Sequence, residues 1–590
     1  MTIASLLASY QSGTTTPRAV IAGILARLRT DADQAIFIHL LTDAEIEPWL
    51  AALDGKDPAS LPLFGVPFAI KDNIDLAGIP TTAACPAFTY TPERSAVAVE
   101  RLIAAGAVPL GKTNLDQLAT GLVGVRSPYG VPVNPWHPDY IPGGSSSGSA
   151  VAVARGFAAF SLGTDTAGSG RVPASFNNLI GVKPTCGLLS TTGVVPACRT
   201  LDCISIFAHT TADAALVLNL AAAYDPGDPY ARTLPAQPAK SWSAGVRIGI
   251  PRPDQLEFFG DAGAAALFGA AVETARAASA EIIEIDLAPF LETARLLYEG
   301  PWVAERYLTA QSLLEANPEA LLPVTRDIIA PVAHGTAAGA FRACYQLQEN
   351  KRRASAVWEQ VEVIMTPTAG TAYTLAEVAA EPVKLNSNLG RYTNFMNLLD
   401  LAALALPSGF LPTGLPWGIT LFAPAFTDWH LLEFSRRWPV YSKAGPLTPP
   451  AGPTPEIHPP VPVLEIAVCG AHLAGLPLNP QLTSRGAWLV KAARTAPVYQ
   501  MVKLPGGPPH RPGLIRRAAG GGAIEVEVWA LPLPAVGSFL AGIPAPLGLG
   551  TVLLEDGSRV CGFVCEAIAA EGAEDITALG SWHTWLQQQV

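Results

Sequence analysis

The sequence predicts an α/β fold, a central mixed sheet flanked by helices, followed by a smaller β-rich domain of barrel-like α+β type. Three observations carry this. Short apolar, β-type segments alternate with helical ones over residues 1–445. Eight prolines crowd the 17 positions from Pro446 to Pro462, which reads as an extended linker. Beyond it the pattern changes to period two, as in Glu525-Val526-Glu527-Val528-Trp529. The expected organisation is therefore a first domain over 1–445, a proline-rich linker over 446–463 and a second domain over 464–590. A chain of 590 residues that is 49% hydrophobic and 15% charged exceeds one ordinary core and has the apolar material for a large one.

In order along the chain, residues 1–60 read as helical, with little Gly or Pro. Phe64 to Ile70 reads as an apolar strand ending at Lys71, Ser95 to Ala105 as a helix, and Ala107 to Gly111 as a buried strand. Ser147 to Arg155 reads as a helix, and Phe157 to Leu162 as a strand. Val246 to Ile250 and Glu281 to Ile285 read as strands on either side of an Ala-rich helix over 262–280, and Val361 to Met365 as a further strand. In the second domain, Asp556-Gly557 between two apolar runs signals a hairpin.

The net charge of −11 argues against a phosphate-binding surface, so no nucleic-acid partner is expected. The eight cysteines form no Cys-x-x-Cys pair, and His209, His334 and His458 have no metal-ligand spacing, so no metal site is expected. Cys561 and Cys565, four apart on an expected strand, read as core thiols on one face. No Walker-type phosphate loop appears, and no cofactor is expected. The opening residues Met1 to Leu7 lack the pattern of a secretory signal, and the Ala-rich stretches are too short to span a bilayer. A cytoplasmic protein is the expectation.

The chemistry-bearing pattern is Gly143-Gly144-Ser145-Ser146-Ser147-Gly148-Ser149 with Gly163-Thr164-Asp165-Thr166-Ala167-Gly168-Ser169, preceded by Ile70-Lys71-Asp72-Asn73. Ser145 and Ser169 stand 24 positions apart, each among small residues. A hydroxyl becomes a nucleophile only when a base takes its proton. A lysine serves as that base once burial lowers its pKa, and a second serine relays the proton between them. The glycines let the backbone turn and approach a substrate closely. The turn after the strand can aim backbone N–H groups at a developing oxyanion.

These residues resemble the amidase signature family over residues 1–440, with Ser147 standing where many members carry glycine. The resemblance implies an amidase-signature α/β domain with a Ser–cis-Ser–Lys triad: Ser169 as nucleophile, Ser145 as the bridging serine in a cis peptide, and Lys71 as base. It also implies an oxyanion hole from the backbone amides of Thr166, Ala167, Gly168 and Ser169. Arg171, two positions after the nucleophile, is expected to support the loop.

Tyr298 and Arg306 lie eight residues apart, a little over two helical turns, and so can share a face, although Gly300-Pro301 can break the helix. A phenol and a guanidinium suit a small carboxylate-bearing substrate. The spacing equally fits Tyr298 and Trp302 as core aromatics one turn apart, with Arg306 a surface charge. This stretch, with Asp225 to Tyr230 and Tyr392 to Asp400, resembles the allophanate hydrolase subfamily. The resemblance implies that Tyr298 and Arg306 hold the carboxylate end of allophanate (urea-1-carboxylate). The segment Val468-Cys469-Gly470-Ala471-His472-Leu473 is similar to the opening of that subfamily's γ-glutamyl cyclotransferase-like domain. The cyclotransferases carry Tyr-Gly-Ser-Leu there, so the resemblance implies decarboxylation of N-carboxycarbamate instead, with His472 as the acid/base candidate. A structural histidine beside a turn is the other reading of His472.

The resemblance further implies a homodimer and a functional link to a separate biotin-dependent urea carboxylase, because this chain has no Ala-Met-Lys-Met biotin site. Two alternatives fit the same residues: a general small-amide amidase, and the amidase component of a tRNA-dependent amidotransferase.

Overall fold

The computed structural model describes residues 1–235, 245–278, 280–443, 445–447, 457–459 and 461–589. They divide into two compact units, one of residues 1–233 with those described between 245 and 459, the other of residues 234–235 with 461–589. Most of the linker expected over 446–463 lies outside the described residues.

The first unit is built on an eleven-stranded sheet. Its strands are β1 (Phe37–Leu40), β2 (Pro67–Lys71), β3 (Val108–Thr113), β4 (Phe160–Asp165), β5 (Ile180–Lys183), β6 (Cys203–Ala208), β7 (Arg247–Pro251), β8 (Glu281–Ile285), β9 (Val363–Pro367), β10 (Leu401–Phe410) and β11 (Pro416–Pro424). They run in the order β1-β3-β2-β4-β6-β5-β10-β11-β9-β7-β8. The sheet is mixed: β2 lies parallel to both β3 and β4, and β7 to β8 and β9, whereas β10 and β11 pair antiparallel. A short hairpin, β12 (Val440–Ser442) and β13 (Gly445–Leu447), lies near the end of the unit.

The helices that matter below are α1 (Ile3–Gln11), α2 (Pro17–Thr30), α3 (Asp43–Ala51), α4 (Val97–Ala104), α5 (Ser147–Ala154), α6 (Val172–Phe176), α7 (Thr211–Ala221), α8 (Ala262–Ala277), α9 (Ala288–Glu299) and α10 (Val303–Ala316). Residues 1–60 are not wholly helical. The aromatic and β-branched run Phe37-Ile38-His39-Leu40 pairs with β3 as the edge strand β1. The sequence reading also missed β5, β6, β10 and β11. The Leu- and Ala-rich text of β10 favours helix locally, but both neighbours in the sheet and burial on both faces override it.

Two helices are buried almost throughout. In α5, Ser147 to Val153 are all buried, and the α5 serines tie it to the sheet: Ser149 Oγ donates to Leu162 O at 2.9 Å, and Ser146 Oγ, just before the helix, to Thr164 O at 3.3 Å. In α6 every residue is buried. The loops leading into these two helices carry Ser145 and Ser169.

In the second unit, β14 (Val463–Val468), β15 (Trp488–Arg494), β16 (Tyr499–Lys503), β17 (Pro512–Arg516), β18 (Glu525–Pro532), β19 (Leu547–Leu553), β20 (Arg559–Cys565) and β21 (Glu574–Asp575) form two sheets. One has the order β15-β18-β14-β20-β19 and the other β17-β16-β21. The expected hairpin is present as β19–β20, with Gly557 at φ +81° in the connection. Cys561 and Cys565 both fall on β20; Cys565 packs with Val502, Leu504 and Ile515, while Cys561 is partly exposed. Among the described residues, no helix is long and apolar enough to cross a membrane.

Candidate active site

The site forms where β2 and β4 end. These strands are parallel neighbours, with Ile70 opposite Leu162, so their carboxyl ends deliver Lys71 and Thr164 to one point. Lys71 Nζ lies 2.8 Å from Thr164 Oγ1 and 2.7 Å from Ser145 Oγ. Asn73 Nδ2 also donates to Thr164 Oγ1, at 3.3 Å, and to Val195 O. Lys71 and Ser145 are fully buried. Burial lowers the Lys71 ammonium from 10.5 to about 7; Asp116, Asp202 and Asp165 oppose that only in part, and Arg306 adds to it. A lysine in this state has two hydrogens and one lone pair, enough to serve both hydroxyls.

The peptide bond between Gly144 and Ser145 is cis. The loop around it is fixed by backbone: Asp116 N–H donates to Ser145 O at 3.1 Å, and Gly144 N–H to Leu122 O at 2.8 Å. Gly144 is required by contact, because a Cβ there would stand 2.2 Å from Asp116 Oδ2. Asp116 in turn accepts from the N–H groups of Gly124 and Arg126, and burial raises its carboxyl.

Ser169 is 3% exposed, and its hydroxyl makes no hydrogen bond among the described residues. The structure thus joins Lys71 to Ser145 but draws no hydrogen bond from Ser145 to Ser169. Of the four turn amides, Gly168 N–H is taken by Asp165 Oδ1 at 2.9 Å, whereas those of Thr166, Ala167 and Ser169 have no acceptor among the described residues. Gly168 has φ +134°, and a Cβ there would meet Thr393 Oγ1 at 2.5 Å.

Asp165 organises this turn. Arg171 grips it with two nitrogens, Nε at 2.9 Å and Nη2 at 2.8 Å, and also donates to Thr393 O. Burial alone would raise the Asp165 carboxyl; the Arg171 guanidinium, with the Lys183 charge and the Gly170 N–H, holds it below the usual range. Both side chains are fully buried, and removing either partner of such a pair costs about 3–5 kcal/mol. Arg171 is therefore engaged in the loop. Asn397 closes the turn from the other side, with Nδ2 on Asp165 O at 2.9 Å and Leu201 O at 2.7 Å.

Asp202 holds the Thr166 hydroxyl and accepts from the N–H groups of Ala197 and Cys198; burial pushes its carboxyl up to about 6. A cavity of about 370 Å³ opens beside Asp202, lined also by Thr191, Arg199 and Asp228. The segment Asp225 to Tyr230 braces that wall: Asp228 accepts from Thr191 N and Oγ1, and Asp225 from Ser190 and Thr192.

Arg306 is not a surface charge. It is 2% exposed, with Nη1 on Ala119 O at 3.0 Å and Thr120 Oγ1 at 3.1 Å, and Nη2 on Tyr298 OH at 3.2 Å. Its Nε is buried with no acceptor among the described residues. Gly300-Pro301 does break the helix, so Tyr298 on α9 and Arg306 on α10 meet across the break. Tyr298 also lines a cavity of about 520 Å³ with Arg391 and Asn394.

In the second unit, His472 follows β14. Its ring stacks on Phe563 at 5.0 Å and stands edge-on to Phe539, and its Nε2 lies 3.0 Å from Gln481 Oε1. Burial and the Arg511 charge lower its pKa. His472 and Arg511 share a small cavity of about 30 Å³. Among the described residues, no cluster of His, Cys, Asp or Glu is arranged to hold a metal ion.

Sequence reasoning missed Thr164, Asn73, Asp116, Asp202 and Asn397 around the first site, and Gln481 and Arg511 around the second. Thr164 and Asn73 stand inside the quoted motifs, where a polar residue at the end of an apolar strand was a usable signal. Asn397 stands inside the quoted segment Tyr392 to Asp400, though without an assigned role; the others come from segments that carried no motif.

Residues 20–432 match the Amidase family, and residues 464–587 match the allophanate hydrolase C-terminal domain. The chain is 45% identical over 554 residues to a urea amidolyase of Saccharomyces cerevisiae, covering 90% of this chain and 30% of that protein. It thus spans about a third of the length of the curated urea amidolyases it matches. It is 34% identical over 470 residues to one component of the glutamyl-tRNA(Gln) amidotransferase of Deinococcus radiodurans, covering 74% of this chain and 96% of that protein. Among solved structures, the allophanate hydrolase of Kluyveromyces lactis superposes with a TM-score of 0.86 at 39% identity, over 100% of this chain and 99% of that one.

Proposed function

The chain belongs to the amidase family, and from that premise we propose that it hydrolyses allophanate to ammonia and carbon dioxide. The observation that carries this reading is the buried Tyr298–Arg306 pair, whose guanidinium keeps Nε without an acceptor among the described residues and lies within electrostatic reach of Lys71. A buried cation with spare donor capacity near a nucleophile selects a small anionic amide.

In this mechanism neutral Lys71 takes the Ser145 proton as Ser145 takes that of Ser169. Ser169 Oγ attacks the terminal amide carbon of allophanate, and the oxyanion is met by the free amides of Thr166, Ala167 and Ser169. Ammonia departs with the relayed proton, and water releases N-carboxycarbamate from Ser169. Arg306 and Tyr298 hold the carboxylate end throughout. In the second unit, His472 moves the proton that the carbamate nitrogen gains as carbon dioxide leaves, with Arg511 facing the carboxylates.

Allophanate is a carboxylated urea, so a biotin-dependent urea carboxylase supplies it in this reading. A cytoplasmic homodimer is the expected form.

The test is ammonia release by purified protein. Allophanate is expected to yield two molecules of ammonia each without ATP, and urea none. A panel in which malonamide outruns allophanate would sink the reading in favour of a general amidase. A need for further protein components and glutaminyl-tRNA chemistry would move it to the amidotransferase class. For the second unit, His472→Ala is expected to leave the first ammonia release intact and slow release of the second about tenfold or more. Unchanged kinetics of the second phase, resolved from spontaneous decay, would remove His472 from the mechanism.

A further inference from the structure

Lys183 ends β5, and its side chain is completely buried. Its Nζ donates to Pro184 O at 2.8 Å, and two sulfurs flank it, Cys203 Sγ at 3.9 Å and Cys186 Sγ at 4.0 Å. Among the described residues, no carboxylate lies within ion-pair distance of this ammonium. A buried cation requires a counter-charge, and a thiolate is the nearest group able to supply one.

Cys186 is suited to be that thiolate. The neighbouring Cys203 side chain and the Lys183 ammonium together hold Cys186 below the ordinary thiol value, and in the thiol form its S–H donates to Leu201 O at 3.3 Å. Asp165 and Asp400 act in the opposite direction. Elsewhere burial pushes Cys198 and Cys469 up to about 12. Cys186 is also partly exposed, whereas Cys203 is buried. The two come together because β5 and β6 pair antiparallel, with Val182 opposite Ile206, so the loop after β5 meets the start of β6.

This pair adjoins the Ser169 turn. Cys203 is directly opposite Asp165 in the β4–β6 ladder, and its Sγ lies 3.3 Å from Asp165 O. Asp165 O is the carbonyl that Asn397 also holds, one residue before Thr166.

We propose that Cys186 and Cys203 form a reversible oxidation site for hydroperoxides, and that their disulfide slows turnover at Ser169. The Cys186 thiolate attacks a peroxide oxygen; the O–O bond breaks, the departing hydroxide or alkoxide takes a proton from solvent and leaves as water or an alcohol, and Cys186 becomes a sulfenic acid. The Cys203 thiol then attacks that sulfur, the S–O bond breaks, and water leaves as the disulfide forms. Two thiols lose two electrons and one peroxide gains them. The disulfide takes the Cys203 S–H from Asp165 O and leaves the Lys183 ammonium without its partner, so the turn carrying Thr166 to Ser169 loses a support. The effect on turnover rests on the amidase reading of Ser169; the oxidation site itself does not.

The experiment treats the full chain with one equivalent of hydrogen peroxide, alkylates the remaining thiols and maps the peptides by mass. A cross-link between Cys186 and Cys203, reversed by dithiothreitol, is expected, with ammonia release falling at least about tenfold and recovering on reduction. Cys203→Ser is expected to leave a dimedone-reactive sulfenic acid at Cys186, and Cys186→Ser to make turnover indifferent to peroxide. Full alkylation of Cys186 after peroxide, or its pairing with another cysteine, overturns the site. A mapped 186–203 disulfide with an unchanged rate overturns the link to Ser169. If the reduced protein releases no ammonia from allophanate, the proposed activity fails, while the peptide map still decides the thiol pair.

Discussion

Ser169→Ala is expected to lower ammonia release from allophanate by about 10⁴-fold or more, with residual rate coming from binding and the turn amides alone. The size follows from the role: without Oγ no acyl group forms on the enzyme, so the whole covalent route is lost. The substitution is also structurally mild. The Ser169 hydroxyl makes no hydrogen bond among the described residues, so alanine leaves no buried partner unpaired. The melting temperature should therefore stay at the wild-type value while the rate collapses. A variant that is stable and fully active would show that the nucleophile is elsewhere.

The second expected result concerns Lys71. A lysine acts as base only when neutral, and the buried Lys71 loses its proton at about 7. The sign is fixed: kcat/KM should rise with pH, close to tenfold per unit below about 7, and level off above it. Lys71→Met should cost about 10²–10⁴-fold and remove that limb. Lys71→Arg separates base from charge. A guanidinium keeps a cation beside Ser145 but is not deprotonated in proteins, so it should be as inactive as methionine. A pH-independent wild-type rate between pH 5.5 and 9, or an active arginine variant, would rule out the base role.

The candidate site was legible where its residues cluster locally in sequence. Ser145 and Ser169 announce themselves by small neighbours that a turn and a close approach require, and Lys71 by its place at the end of an apolar strand. Their environment was not legible, because it is assembled over distance. Lys71 meets Thr164 across 93 positions, and Asn397 reaches Asp165 O across 232. The burial that lowers Lys71 belongs to the closed fold and to no segment of the text. The same reason explains the strands that went unseen. Leu401 to Phe410 is written in helix-favouring leucine and alanine, and only pairing with β5 and β11 makes it extended. Asp556-Gly557 needed no such context, since a hairpin turn is decided by the residues in it.

The break at Gly300-Pro301 places Tyr298 and Arg306 on either side of a corner, on two helices that contribute no strand to the sheet. Lys71 ends a strand of the sheet, and Ser145 and Ser169 stand on the loops that lead into its buried helices, anchored by Asp165, Arg171 and Asp116. Inheritance can therefore act on the two parts at different rates. In the proposed reading, changes at Tyr298 redirect which small molecules are accepted, while Arg306, bonded to Ala119 O and Thr120 Oγ1, keeps the bend tied to the segment that leads to Ser145.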